Sequence, residues 1–232
     1  MIVSHKYRFI YLRTEKTGST SLENLLREVM SPDEDPHAIY STPLSRSLPV
    51  PTGWLRKTWP QHFGLHYHSP ASDVRKALGA EVFDSYFKFA VERNPWERQL
   101  SLYYHRQGRK EGTDLNRFNA DMQSALFTTL HHVKLRNWQV YSIDNQVVAD
   151  KVIRFETLQD DVTQVFQQIG LPHDGQLPRR NVSSGGTRAH YSTYYTDQTR
   201  DLIGQWYANE IAHFGFQFDD QRSNSNDKEK QA

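Results

Sequence analysis

Lys16-Thr17-Gly18-Ser19-Thr20-Ser21 stands between an apolar run, Tyr7 to Leu12, and a helix-like stretch that begins near Leu22. Strand, tight loop and helix start, in that order, make an anion cradle. Free backbone N–H groups and the positive end of the helix dipole point at whatever the loop holds. Lys16 and the neighbouring hydroxyls add directional donors, so the stretch reads as a site for a phosphate-like group. A plain Ser/Thr helix cap would give the same short string. It is not a Walker A motif, because Lys16 precedes Gly18 and the G-x-x-x-x-G-K-[ST] spacing is absent, which weakens a nucleoside-triphosphatase reading.

Outward from this loop, Leu22, Leu25, Leu26 and Val29 fall at i, i+3, i+4 and i+7, one apolar stripe of a helix. Thr20 and Glu23 would form its capping box. Prolines at 32, 36, 43, 49, 51 and 60 mark Ser31 to Pro60 as a long surface excursion. A helix is expected over Ser72 to Leu78 and a strand over Tyr86 to Val91. Asn94 as N-cap, Pro95 at the first helical position and Glu97 at N3 then signal a helix three times over. Residues 106 to 140 read as mainly helical, with Phe118, Met122, Leu126 and Leu130 in register. Val152 to Phe155 is a further strand, followed by a helix carrying Leu158, Val162, Val165, Phe166 and Ile169 that Gly170 and Pro172 stop. A last helix carries Ile203, Trp206, Tyr207 and Ile211 and ends at Gly215. This alternation predicts an α/β fold, a central, mostly parallel sheet flanked by helices, with ligands beyond the carboxyl ends of the strands.

At 232 residues the chain fits one domain, taken as 1–220, with a polar, disordered tail over 221–232. Lys plus Arg number 28 against 27 Asp plus Glu, so no global charge draws the chain to nucleic acid, and anion binding must be local. There is no cysteine, which excludes disulfides and thiol chemistry and fits a reducing compartment. No stretch has signal-peptide or transmembrane length, so a cytoplasmic protein, not an integral membrane one, is the expectation. The mean hydropathy of -0.77 is low, but the aromatic fraction of 12% argues for a packed fold.

A second motif, Val91-Glu92-Arg93-Asn94-Pro95-Trp96-Glu97-Arg98-Gln99-Leu100-Ser101, puts Arg93 at a strand end and Ser101 two turns into the next helix. Asn94, Glu97, Arg98 and Ser101 share one helical face. Arg93 offers a charged fork to a phosphate oxygen and Ser101 a hydroxyl. The alternative makes Arg93 a partner for Glu97 or for a helix end and leaves Ser101 as a neutral packing residue.

Together the two strand-to-helix junctions resemble those of the sulfotransferases that use PAPS (3′-phosphoadenosine 5′-phosphosulfate). Tyr86 to Tyr103, Ile153-Arg154-Phe155-Glu156-Thr157-Leu158 and Tyr194-Tyr195-Thr196 through Phe216 extend the likeness, towards the carbohydrate-type branch. The resemblance implies a P-loop-like sulfotransferase fold and the transfer of a sulfuryl group from PAPS to a hydroxyl of a carbohydrate or glycoconjugate, leaving PAP, with no metal required. It implies that Lys16, Thr17, Gly18, Ser19, Thr20 and Ser21 hold the 5′-phosphosulfate, and that Lys16 stabilises the leaving phosphate. Arg93 and Ser101 would hold the 3′-phosphate, and Ser183 and Arg188 in a Gly/Ser loop would close over the nucleotide.

The acceptor needs a base, sought in Gly64-Leu65-His66-Tyr67-His68-Ser69-Pro70. His66 and His68 would share a face if extended; the resemblance favours His68, with His66 as rival and Glu92 a further candidate. A His-x-His zinc site with His62 lacks a third ligand. Glu15 stands where many members of the resembled family have proline, an acid beside an anionic donor unless turned away or paired with Arg13. Trp54, Arg56, Lys57, Trp59, Arg106, Arg109 and Lys110 would suit an acidic oligosaccharide. The rival readings are a nucleotide kinase or other phosphoryl transferase with a P-loop-like anion site, and a non-catalytic nucleotide- or glycan-binding module.

Overall fold

Phe9-Ile10-Tyr11-Leu12 is apolar without alternation, the pattern of a strand covered on both faces. In the computed structural model of the protein all four side chains are buried. The structure describes residues 1–30, 35, 39–40, 65–106, 115–177 and 189–222. In chain order the first elements are β1 (Ile2–Ser4), β2 (Phe9–Leu12), α1 (Ser19–Val29), β3 (Ile39–Tyr40), α2 (Ala71–Leu78), α3 (Ala80–Ser85), β4 (Phe87–Glu92) and α4 (Pro95–Arg106). Then come α5 (Leu115–Gln123), α6 (Ala125–Leu130), α7 (Asn137–Tyr141), the hairpin strands β5 (Ser142–Ile143) and β6 (Gln146–Val147), β7 (Lys151–Arg154), α8 (Leu158–Ile169), α9 (Asp197–Trp206) and α10 (Ala208–Phe214).

The contacts divide the chain into two compact units, Met1–Glu92 with Arg136–Arg180, and Arg93–Leu135 with Asn181–Ala232. The first holds a five-stranded sheet in the order β3-β1-β2-β4-β7. β2, β4 and β7 run parallel, with Tyr11 opposite Phe89 and Val91 opposite Ile153, while β1 pairs antiparallel with β2 and β3. The α/β class is therefore as expected, and the antiparallel edge is an addition. At three and two residues, β1 and β3 are too short to show periodicity.

Leu22, Leu25 and Leu26 of α1 and Val162, Val165 and Phe166 of α8 bury against Phe9, Tyr11, Phe89, Val91 and Ile153. Each such side chain contributes roughly 1.5–3 kcal/mol on removal from water. Gly170 ends α8 in the left-handed conformation, as its position predicted. The capping box does not form. Gly18 at φ 75 caps α1 without a side-chain bond, and Glu23 is instead held by two arginines, Arg13 at 2.9 Å and Arg27 at 2.7 Å.

In the second unit Trp96, Leu100, Tyr103, Phe118, Met122, Tyr195, Ile203 and Tyr207 form the core. Asn94 caps α4 as predicted, its side chain accepting from the Trp96 N–H at 3.1 Å. Two expectations fail here. Ser124 breaks the helical run and caps α6 through the Phe127 N–H, so Leu126 and Leu130 leave the register of Phe118 and Met122 and are 70% and 65% exposed. The last helix is two, α9 and α10, interrupted at Tyr207, whose hydroxyl accepts from the Leu135 N–H and donates to Gln99. Arg98, three residues before Ser101 on the same helix, is not at the surface. It is buried, stacked on Tyr207 and paired with Glu210 at 3.4 Å.

Candidate active site

The carboxyl ends of β2 and β4 lie side by side, Leu12 opposite Ala90, and the two motifs leave the sheet from these neighbouring strands. Thr14 anchors the first. Its buried hydroxyl donates to the Val91 carbonyl and shares a 2.8 Å hydrogen bond with the buried Thr17 hydroxyl. The Thr17 side chain therefore belongs to the loop's own framework. Lys16 then turns in the left-handed region at φ 62, and Gly18 does so at φ 75. Gly18 is needed for a second reason: a Cβ there would lie 2.9 Å from the Phe155 ring and 3.3 Å from Leu158.

Beyond Gly18, α1 starts with Ser19 buried, Thr20 exposed and Ser21 half-buried. Because its N-cap carries no side-chain oxygen, the first turn presents backbone N–H groups of the kind an anion takes. Lys16, Gly18 and this helix start are compatible with a phosphate or sulfate group. Arg13 closes the loop from behind: it donates to the Thr20 hydroxyl at 3.1 Å, pairs with Glu23 and lies 4.4 Å over the Tyr67 ring.

His66 and His68 are not extended. The chain turns at Tyr67-His68, with the Ser69 N–H donating to the His66 carbonyl and the His66 N–H to the Ser69 hydroxyl. The turn gives the two rings different chemistry. His68 Nδ1 lies 2.9 Å from the Arg13 carbonyl, which can only accept, so Nδ1 carries the proton and Nε2 of the neutral ring carries the lone pair. His66 Nδ1 accepts from the His68 N–H at 3.0 Å, so the proton of its neutral ring sits on Nε2. Of the two, His68 is the one whose Nε2 can take a proton. It is tied to a residue three positions before Lys16.

Glu92, at the end of β4, is fully buried and accepts from the Tyr141 hydroxyl at 2.9 Å. Such a carboxyl, enclosed and bonded, lacks the access a base for an incoming hydroxyl needs. In the second motif Arg93 spans both oxygens of Glu97, at 2.7 and 3.2 Å, and Ser101 is half-buried on α4. This is the ion pair weighed above as the alternative for Arg93. Ser183 and Arg188 lie outside the described residues, as do Trp54, Arg56, Lys57, Trp59, His62, Arg109, Lys110 and residues 223–232 of the tail. Among the described residues no group of three or more His, Asp or Glu side chains gathers as a metal site, and no helix is long and apolar enough to cross a membrane.

The family model described as "Sulfotransferase family" matches residues 1–217. The chain belongs to the sulfotransferase family. The match runs through both units of this sulfotransferase. An uncharacterized protein of Archaeoglobus fulgidus is similar, at 31% identity over 109 residues, 45% of this chain and 85% of that protein. No solved structure matches the chain.

Sequence reasoning missed Thr14, Asn137 and Tyr141. A buried threonine two residues before the lysine was a weak local signal for the first. Nothing near Asn137 in the sequence marks it, although its side-chain amide accepts from the Glu15 N–H at 2.9 Å and donates to the Glu15 carbonyl at 3.0 Å.

Proposed function

We propose that this sulfotransferase moves a sulfuryl group from PAPS to a hydroxyl of a carbohydrate or glycoconjugate, with His68 as the general base. PAPS, when bound, supplies the activated sulfuryl group. The chain's part is placement and charge. Sulfuryl transfer, like phosphoryl transfer, gains chiefly from alignment and from fixed positive charge where negative charge develops. Lys16 sets an ammonium at the phosphate that keeps the negative charge, the amides of the loop and of the first turn of α1 hold its oxygens, and Arg93 and Ser101 take the 3′-phosphate. His68 Nε2 accepts the proton of the attacking hydroxyl, while the Nδ1 bond to the Arg13 carbonyl fixes the ring and steadies the imidazolium that forms.

The observation that carries this reading is the His68 to Arg13 bond, which selects the basic nitrogen and places the ring against the segment that ends in Lys16. The carbohydrate class of acceptor rests on the branch resembled in Tyr86 to Tyr103 and Tyr194 to Phe216, and is the finer part of the proposal.

Calorimetric titration with PAP, without divalent metal, tests the nucleotide site. Binding to the wild type that is strongly weakened, but still measurable at high PAP concentration, in both Lys16→Ala and Arg93→Ala is the expected result. ATP binding that requires metal, with no affinity for PAP, would instead identify a phosphoryl transferase. With PAPS and a panel of hydroxyl acceptors, His68→Ala should lower transfer roughly 10²- to 10⁴-fold and His66→Ala far less. Full activity in His68→Ala would refute the assignment, and PAP binding with no transfer to any acceptor would favour a binding module.

A further inference from the structure

Asn137 and Tyr141 lie one turn apart on the short helix α7, at i and i+4, and one reaches the loop that follows β2 while the other reaches the end of β4. The amide of Asn137, 1% exposed, makes a two-way bond with the main chain of Glu15, accepting from its N–H and donating to its carbonyl. The buried hydroxyl of Tyr141 donates to Glu92. Glu15 directly precedes Lys16, and Glu92 directly precedes Arg93. One helix therefore holds the two residues from which the chain enters both cationic positions.

Asn137 does the more demanding task. Lys16 sits at φ 62, a conformation that costs a lysine free energy and persists only where neighbours enforce it. The main chain on its N-terminal side is fixed by Asn137 at residue 15 and by the Thr14 hydroxyl on the Val91 carbonyl. Without the amide clamp, residue 15 loses both main-chain bonds that hold it directly before Lys16. Tyr141 acts on the carboxyl end of β4, where Glu92 is enclosed and its side chain must find a hydrogen-bond donor.

We infer that Asn137 and Tyr141 are positioning residues of the sulfotransferase site, Asn137 acting through Glu15 on Lys16 and Tyr141 acting through Glu92 on Arg93. The inference rests on the assignment of Lys16 and Arg93 to the two phosphates of the donor nucleotide. Neither residue touches the nucleotide in this scheme.

Double-mutant cycles on PAP affinity, read by calorimetry, separate this role from a general loss of stability. Asn137→Ala and Tyr141→Phe should each weaken PAP binding about tenfold, of the order expected for one buried hydrogen bond. Asn137→Ala should add little in a Lys16→Ala background yet keep its full effect in an Arg93→Ala background. Tyr141→Phe should show the converse. Additive losses in all four pairs, or unchanged affinity in either single variant, overturn the inference while the nucleotide site stands. A wild type without affinity for PAP removes the parent reading and this one together. Should Asn137→Ala not fold, Asn137→Asp replaces it, since it keeps the acceptor and loses the donor. Amide exchange without ligand gives an independent readout: the Glu15 N–H should exchange faster in Asn137→Ala than in wild type, and equal rates would refute the clamp.

Discussion

Replacing Lys16 by glycine should make the protein more stable than replacing it by alanine, although both changes abolish the ammonium. At φ 62 the residue lies where a Cβ crowds the following carbonyl. That crowding costs an L-residue roughly 1–2 kcal/mol. Alanine keeps the Cβ and so keeps the cost; glycine removes it but widens the unfolded ensemble, a loss of about 0.4–1 kcal/mol. The difference leaves Lys16→Gly ahead of Lys16→Ala by about 0.5–1 kcal/mol, or roughly 1–4 °C in Tm for a chain of this size. Comparing the two variants, rather than each with wild type, cancels every contact of the lysine side chain. Matched thermal melts by circular dichroism supply the numbers, and PAP titration of the same samples should show both variants impaired. A melting temperature for Lys16→Ala equal to or above that of Lys16→Gly would refute the claim that the loop holds its lysine under backbone strain.

Gly18→Ala combines a left-handed φ with a Cβ 2.9 Å from the Phe155 ring, so it should destabilise by about 2–4 kcal/mol in urea titration, part of it recovered by Phe155→Leu. Arg98→Ala strands the buried Glu210 carboxyl and should cost about 3–5 kcal/mol, whereas the double change to Arg98→Met and Glu210→Leu should cost much less; equal losses would show that packing rather than charge decides the site. Burial, opposed by the charge of Arg98, raises the Tyr207 hydroxyl from 10.0 to about 12, and burial also raises Tyr11 and Tyr195. A folded-state value above the unfolded one means that the folded protein binds more protons, so the tyrosine contribution is fully present below pH 10 and stability should fall as the pH rises from 10 towards 12, seen as a declining urea midpoint.

What the sequence made legible was the chemistry that closes within a few residues. Asn94, Pro95 and Gly170 act on their own helix ends, and the stripe of Leu22, Leu25 and Leu26 needs only helical spacing to be seen. Lys16 and Arg93 are read as candidates the same way, from the loop and the helix start that follow an apolar strand. The misread positions have partners elsewhere or a break that resets the phase. Glu23 suits a capping box by spacing, but two arginines outcompete a backbone N–H for its carboxylate. Leu126 and Leu130 fit the period of Phe118 and Met122 until Ser124 restarts the helix. Thr14, Tyr141 and Asn137 bind partners 77, 49 and 122 positions away, separations at which no local pattern carries information.

Glu15 ties these observations together. An acid in place of the proline common at this position in the resembled family looks unfavourable beside an anionic donor unless turned away or paired with Arg13, and of these two compensations the pair is not how the arginine is used, since Arg13 is paired with Glu23. The gain lies in the main chain. Proline has no N–H, so it cannot donate to Asn137 and would leave the buried amide oxygen without that bond. A non-proline residue at 15 and an asparagine at 137 are thus two halves of one device, and the side chain at 15 is incidental to it. Glutamine or alanine at 15 should therefore preserve the clamp, whereas proline should remove its N–H half and leave only the bond from the Asn137 amide to the carbonyl of residue 15.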